Sequence, residues 1–323
     1  MSKHVFVTHQ LPGERIHELA RQCDMHVWMG SGLLPAGELR QQLVGCQGLV
    51  CLLTDRVDRS LLDAMPDLEF VSSMSVGVDH IDVRALSDRG IPVGNTPGVL
   101  VDTTADTTFA LLLAAARRLG EADRYIRAGN WGADKAWSPD FFIGKDVSNA
   151  TLGIVGLGAI GQAVARRAAG FGMRVISWSR SQPEVPGVEN VSLQELLARS
   201  DFVSVHVALT ADTRNLLDAQ RIAMMKPGAV LVNTARGGIV DELALAEALD
   251  SGQVFAAGID VFEQEPVAMN NPLLRHPRVL LAPHIGSATI LTRAAMADIA
   301  ANNALAALQG QRMQHCVNPQ VYG

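Results

Sequence analysis

Aromatic side chains are scarce in this chain, at 5% of 323 residues with only two tyrosines. Cysteine is scarce as well: Cys23, Cys46, Cys51 and Cys316 are scattered, and none forms a Cys-x-x-Cys pair or stands at ligand spacing from a histidine. That distribution excludes a disulfide framework and a sequence-encoded zinc site, and fits reduced thiols in a cytoplasmic protein. There is no basic run and no basic patch interleaved with aromatics. With 27 Lys+Arg against 33 Asp+Glu, the net charge of -6 argues against a nucleic-acid partner. Long apolar runs are missing too. The densest, residues 109–116, falls far short of the roughly 20 residues that cross a bilayer. Residues 1–10 read as a short strand and not as a signal peptide, so no membrane association is expected. What remains is 48% hydrophobic and 19% charged, the balance of a folded globular chain long enough for about two domains.

Short apolar runs alternate with amphipathic stretches through the first hundred residues. Strands are predicted at 5–8, 25–28, 48–52 and 70–73, with helices at 12–22, 35–43, 59–64 and 83–88 between them. Such a βα alternation implies a parallel sheet covered on both faces. A long apolar helix is predicted from about 101 to 118, after Asn95-Thr-Pro-Gly98. Residues 131–149 look irregular, with Trp131, Trp137, Phe141 and Phe142 in a polar background. A second βα series follows, with strands at 152–155, 174–178, 202–206, 230–233, 255–259 and 279–282 and a clear helix at 243–249. The chain closes on a long helix at about 290–308. Periodicity alone leaves open whether that helix returns to the first domain.

The second series opens on Thr151-Leu-Gly-Ile-Val-Gly-Leu-Gly-Ala-Ile-Gly161. Here a strand runs into Gly156-x-Gly158-x-x-Gly161 and a helix follows, the order a dinucleotide pyrophosphate requires. The first glycine makes the tight turn, the second lets backbone approach phosphate, and the third lets the helix pack on the strand. The helix N-terminus then offers unpaired N–H groups to the anion. In such a unit the second strand ends in an acidic residue when the ribose 2′-OH is bound. This strand ends in Ser179-Arg180-Ser181, which has no carboxylate to repel a 2′-phosphate and has donors to bind one. NADP(H) is therefore the expected cofactor, with NAD(H) as the alternative; no metal is expected.

Three further stretches each follow a predicted strand: Val232-Asn-Thr-Ala-Arg-Gly-Gly238, Gly258-Ile-Asp-Val-Phe-Glu-Gln-Glu-Pro266 and Ala282-Pro-His-Ile-Gly-Ser287. Open α/β sheets build their sites at these strand ends. Singly, an Arg-Gly is usually a turn, a Glu-Pro a loop, and a histidine structural. Together they suit reduction of a 2-keto acid. Arg236 would clamp a carboxylate, the histidine would give a proton to the keto oxygen, and a nearby carboxylate would favour the imidazolium.

With these motifs the chain resembles the D-isomer-specific 2-hydroxyacid dehydrogenase family over essentially its whole length, and most closely the subgroup reducing glyoxylate, hydroxypyruvate and 2-ketogluconate. The resemblance implies an α/β fold of two Rossmann-like parallel-sheet domains, one flavodoxin-like and one NAD(P)-binding, with an interdomain cleft. It implies a discontinuous substrate domain (1–99 with 288–323) and a cofactor domain (100–287). By the same resemblance the catalytic residues are Arg236, Glu265 (the glutamate directly before proline, not Glu263) and His284. The substrate carboxylate would meet backbone donors of the loop at 75–79, at Val76 and Gly77, and Leu100 would line the pocket. Cofactor contacts are implied for Thr104, Gly156, Gly158, Ala159, Ile160, Gly161, Ser179, Arg180, Thr234, Ala235, Asp260 and Gly286. Asp260 would accept from the nicotinamide carboxamide. Residues 131–149 would form the arm of a homodimer, although this arm is a few residues longer than is usual for the subgroup. The run Asp102-Thr-Thr-Ala-Asp106 also departs from the family, many of whose members carry a glutamate later in it. Two other readings remain: an NAD-linked D-lactate or D-3-phosphoglycerate type dehydrogenase, and a non-catalytic dinucleotide-sensing module.

Overall fold

The structure, a computed structural model, describes residues 2–135 and 137–323; Ala136, in the expected dimer arm, lies outside them. The chain forms two compact units. One comprises the residues up to Leu100 together with Ala288–Gly323, and the other is Val101–Ser287.

In the first unit β1 (His4–Val7), β2 (Asp24–Val27), β3 (Gly48–Cys51), β4 (Phe70–Ser73) and β5 (Val93–Gly94) form a parallel sheet in the order β2-β1-β3-β4-β5. This is the flavodoxin-like order. β3 and β4 are buried along their whole length, as strands with helices on both faces must be. On one face Phe6, Leu49 and Val71 pack with Leu39, Leu43, Leu61, Leu62 and Leu86. The helix Ile290–Leu308 belongs to this unit. Its Ala300 carbonyl accepts from Ser72 Oγ at 2.8 Å, and its Asp298 carboxylate accepts from the Arg15 N–H at 2.9 Å.

The second unit is built on β6 (Thr151–Val155), β7 (Arg174–Trp178), β8 (Val188–Asn190), β9 (Phe202–Val205), β10 (Ala229–Asn233), β11 (Val254–Ile259) and β12 (Val279–Leu281). All pair in parallel, in the order β12-β11-β10-β9-β6-β7-β8. Read from β8, this is the 3-2-1-4-5-6 order of a Rossmann sheet with one strand added. Leu152, Ile154, Val164, Phe202, Val230 and Ala256 fill one face, with Phe109 and Leu112 of the helix Val101–Ala116 over them.

The structure differs from the sequence expectation in a few elements. The first helix begins at Arg15 and not at residue 12, because Gly13 takes φ +105°, outside any right-handed helix. The helix expected over 101–118 ends at Ala116. Arg118 is left-handed at φ 54°, and a second helix, Leu119–Arg127, starts there. β5 and β8 were not foreseen: one is two residues long, and the other is a half-polar edge strand. Among the described residues no helix is long and apolar enough to cross a membrane, and no group of three or more ligating side chains could hold a metal.

Candidate active site

β6 carries the chain into Gly156, which sits at φ +103°. A Cβ there would lie 2.7 Å from the Val207 nitrogen. Gly161 packs so closely under the turn that a Cβ would lie 2.2 Å from the Gly156 carbonyl oxygen. Both positions therefore exclude a side chain for reasons internal to the fold. Gly158 is different. It caps the helix Ala159–Ala169, is exposed, and has no atom within 4 Å of where its Cβ would be. Glycine here keeps space open in front of a helix N-terminus, which is where a pyrophosphate would bind. Ala159 and Ile160 supply the first N–H groups of that helix.

A cavity of about 550 Å³ lies against this turn. Gly156, Leu157, Gly158, Trp178, Ser179, Arg180 and Ser181 line one side, and the 206–213 segment lines the other. Ser179 is buried with its hydroxyl 3.3 Å from that of Ser181, while Arg180 is exposed. Among the residues lining the cavity none is acidic. The residues present thus fit a dinucleotide, and they fit a phosphorylated ribose without charge conflict. The far wall was not read from the sequence. It includes His206, Thr210 and Thr213, whose only local signal is a Thr-x-x-Thr turn in which the Thr210 N–H donates to Thr213 Oγ1 at 2.8 Å. Burial pushes the His206 imidazole down to about 3, so it faces the cavity neutral, with Nε2 2.7 Å from Ser204 Oγ.

The catalytic candidates leave three strands that are neighbours in the sheet: Arg236 follows β10, Glu265 follows β11 and His284 follows β12. His284 Nδ1 lies 2.7 Å from Glu265 Oε2, with both side chains about three-quarters buried. The other carboxylate oxygen of Glu265 accepts from the Phe262 N–H at 2.9 Å. Burial opposes ionisation of Glu265. The hydrogen bond and charge of His284, the Phe262 amide and the Arg236 guanidinium outweigh it and hold the carboxyl below its ordinary range. An ionised Glu265 favours a proton on His284 Nδ1, so the ring is oriented through that nitrogen.

Arg236 is aimed by its own turn. Asn233 Nδ2 donates to the Arg236 carbonyl at 2.9 Å, and Asn233 Oδ1 accepts from the Ala235 N–H at 3.1 Å. Gly237 then passes against the loop that leads to Glu265, so closely that a Cβ would lie 1.8 Å from the Phe262 carbonyl oxygen. Gly237→Ala is accordingly expected to push the Arg236 and Glu265 segments apart and to destabilise the protein by about 3 kcal/mol. Denaturant titration checks this, and an unchanged midpoint would refute it.

Asp260 organises the segment that carries His284. Its two carboxylate oxygens accept from the Ile285 and Gly286 N–H groups, each at 2.8 Å, and its carbonyl accepts from the His284 N–H at 2.8 Å. One residue thus suspends the whole 284–286 segment, including His284 in its left-handed conformation at φ 54°. Thr104 lies buried beside Gly286, and Thr234 Oγ1 pairs with Thr108 Oγ1 at 2.8 Å.

Val76, Gly77 and Leu100 belong to the first unit, and the other expected site residues belong to the second. Val76 and Gly77 sit on the loop after β4, where Val76 is exposed, and Leu100 is buried.

Comparison with known proteins gives the family. Residues 109–286 match the NAD-binding domain model of the D-isomer specific 2-hydroxyacid dehydrogenases. The chain is similar to the glyoxylate reductases of Korarchaeum cryptofilum (45% identity, covering 99% of this chain and 97% of that protein) and Thermococcus litoralis (44%, covering 99% and 98%). Among solved structures it resembles the TT0316 protein of Thermus thermophilus, with 45% identity and a TM-score of 0.90 over 97% of this chain and 99% of that one. It also resembles the NADPH-dependent glyoxylate/hydroxypyruvate reductase of Sinorhizobium meliloti in complex with NADP and malonate, with 32% identity and a TM-score of 0.85 over 99% and 98%. With its parallel sheets, glycine turn and Arg-Glu-His set, the chain is an oxidoreductase that belongs to the D-isomer specific 2-hydroxyacid dehydrogenase family.

Proposed function

We propose that this protein reduces a small 2-keto acid (glyoxylate, hydroxypyruvate or 2-ketogluconate) to the D-2-hydroxy acid, using NADPH in preference to NADH. The observation that carries the reading is the His284–Glu265 pair at 2.7 Å, with the Arg236 charge acting on it. When bound, the cofactor supplies a hydride to the keto carbon. His284 gives the proton from Nε2 to the keto oxygen, and Glu265 stabilises the imidazolium before transfer. Arg236 pairs with the substrate carboxylate and draws charge from the keto oxygen. Val76 and Gly77 N–H groups bind a substrate carboxylate, and Leu100 lines the substrate pocket. Gly158, Ala159 and Ile160 hold the pyrophosphate, and Ser179 and Arg180 hold the 2′-phosphate. Thr104, Thr234, Ala235, Asp260 and Gly286 complete the nicotinamide end. The relatives that act on glyoxylate support the substrate class. Exposed Trp131, Trp137 and Ile143 support a homodimer arm.

The test is steady-state kcat/KM for the three acids with each cofactor. Turnover with NADH alone would favour the NAD-linked reading, and dinucleotide binding without turnover would favour a sensing module. Within the same assay, Ser179→Asp combined with Arg180→Ala is expected to lower kcat/KM with NADPH by about a hundred-fold and to raise it with NADH. An unchanged cofactor ratio would mean that the 2′-phosphate is held elsewhere.

A further inference from the structure

The end of β4 and the loop after it carry a chain of hydroxyl groups that the reaction as described does not use. Ser75 Oγ donates to the Gly77 carbonyl at 2.7 Å. Ser73 Oγ lies 2.7 Å from Ser75 Oγ, and His80 Nε2 lies 3.1 Å from Ser73 Oγ. A serine hydroxyl has one proton to give. Ser75 gives its proton to Gly77, so between the two serines Ser73 is the donor. The Ser73 proton is then committed, and its oxygen must accept from His80. The direction of the whole chain follows: His80 Nε2–H to Ser73, Ser73 to Ser75, Ser75 to the Gly77 carbonyl. Ser73 and Ser75 are buried, where such bonds are strong and a missing partner is costly. From the other side of the loop, Asn95 Nδ2 donates to the Val76 carbonyl at 2.9 Å, and the Thr96 N–H donates to the Ser75 carbonyl at 2.8 Å. The carbonyls of Val76 and Gly77 are thus both tied. Among the described residues, neither residue donates its own N–H to the protein.

We infer that His80 is a positioning residue for substrate. Through Ser73 and Ser75 it fixes the Gly77 peptide, and so keeps the Val76 and Gly77 N–H groups presented to a carboxylate. This rests on the reading of that loop as a carboxylate-binding element. The relay needs an N–H at His80 but not a charge. His80→Ala and Ser73→Ala break it at two different points, and His80→Gln keeps a donor of similar reach. Each alanine variant is expected to raise KM for the keto acid by roughly three- to ten-fold, the effect of one lost hydrogen bond. The kcat and the dissociation constant for NADPH should stay unchanged, because only ground-state and transition-state binding are lost together. His80→Gln should restore KM to within about two-fold. An unchanged KM in Ser73→Ala, or a His80→Gln variant as impaired as His80→Ala, would overturn the relay. A second measurement does not depend on activity. In ¹⁵N-labelled full-length protein without substrate, the Val76 and Gly77 amide resonances should move in both alanine variants. Unmoved resonances overturn the inference. If the wild-type protein turned over no 2-keto acid, the proposed function would fall, and the amide resonances would still decide the relay.

Discussion

Replacing His284 with alanine is expected to lower kcat by about three orders of magnitude, the range a general acid contributes, with NADPH binding retained. The hydrogen bond to Glu265 engages Nδ1, and under the proposed function the other ring nitrogen is the one that would serve the keto oxygen. The carboxyl of Glu265 is held below its ordinary range by the His284 hydrogen bond and charge, the Phe262 amide and the Arg236 guanidinium. Alanine at this position carries a second cost, because His284 is left-handed at φ 54° and alanine tolerates that region poorly. His284→Asn separates the two effects, since asparagine accepts this backbone but supplies no acid. Both variants should lose turnover, and cofactor titration by fluorescence should show both still binding NADPH. Turnover at the wild-type rate in either variant would remove His284 from the proton-donor role.

Replacing Arg236 with glutamine is expected to raise KM for the keto acid by about a hundred-fold, the cost of truncating a charge pair to a bound carboxylate. The kcat should also fall, because the guanidinium favours charge on the keto oxygen as the hydride arrives. Glutamine keeps the two Asn233 bonds that shape the turn and loses only the bond from Arg236 Nη1 to the Ala235 carbonyl, 2.9 Å long. The Glu265 carboxyl loses one of the charges that hold it down, so the acid side of the pH–rate profile should move upward in pH. An effect confined to NADPH affinity would contradict the carboxylate role.

Much of the site was legible in the sequence because its parts are local. The glycine turn, the Asn233–Gly237 turn and the segments ending in Glu265 and His284 each announce themselves within a few residues. Each also follows an apolar run long enough to read as a strand. What was not legible depends on contacts between distant positions. Nothing near Asp260 in sequence shows that its carboxylate would be taken up by the Ile285 and Gly286 amides, twenty-five residues on. The far wall of the cofactor cavity carries ordinary residues whose placement comes from sheet order. β8 escaped notice because it is three residues with two exposed, and β5 because two residues have no period. The helix end near 118 is read to within two residues, but the immediate restart at Leu119 is not, because Gly120 stands inside the second helix.

The placement of His284 has a further consequence. Its strand, β12, is the last of the sheet, three residues long, and paired on one side only. Arg236 and Glu265 instead follow β10 and β11, which are paired on both sides. Sheet margins open at lower free energy than sheet interiors. His284 is thus tethered to one margin of the Rossmann sheet, and the Asp260 bonds are the rivets that hold its segment there. Heat or denaturant that loosens that margin is expected to release His284 before the strands at the centre of the sheet open.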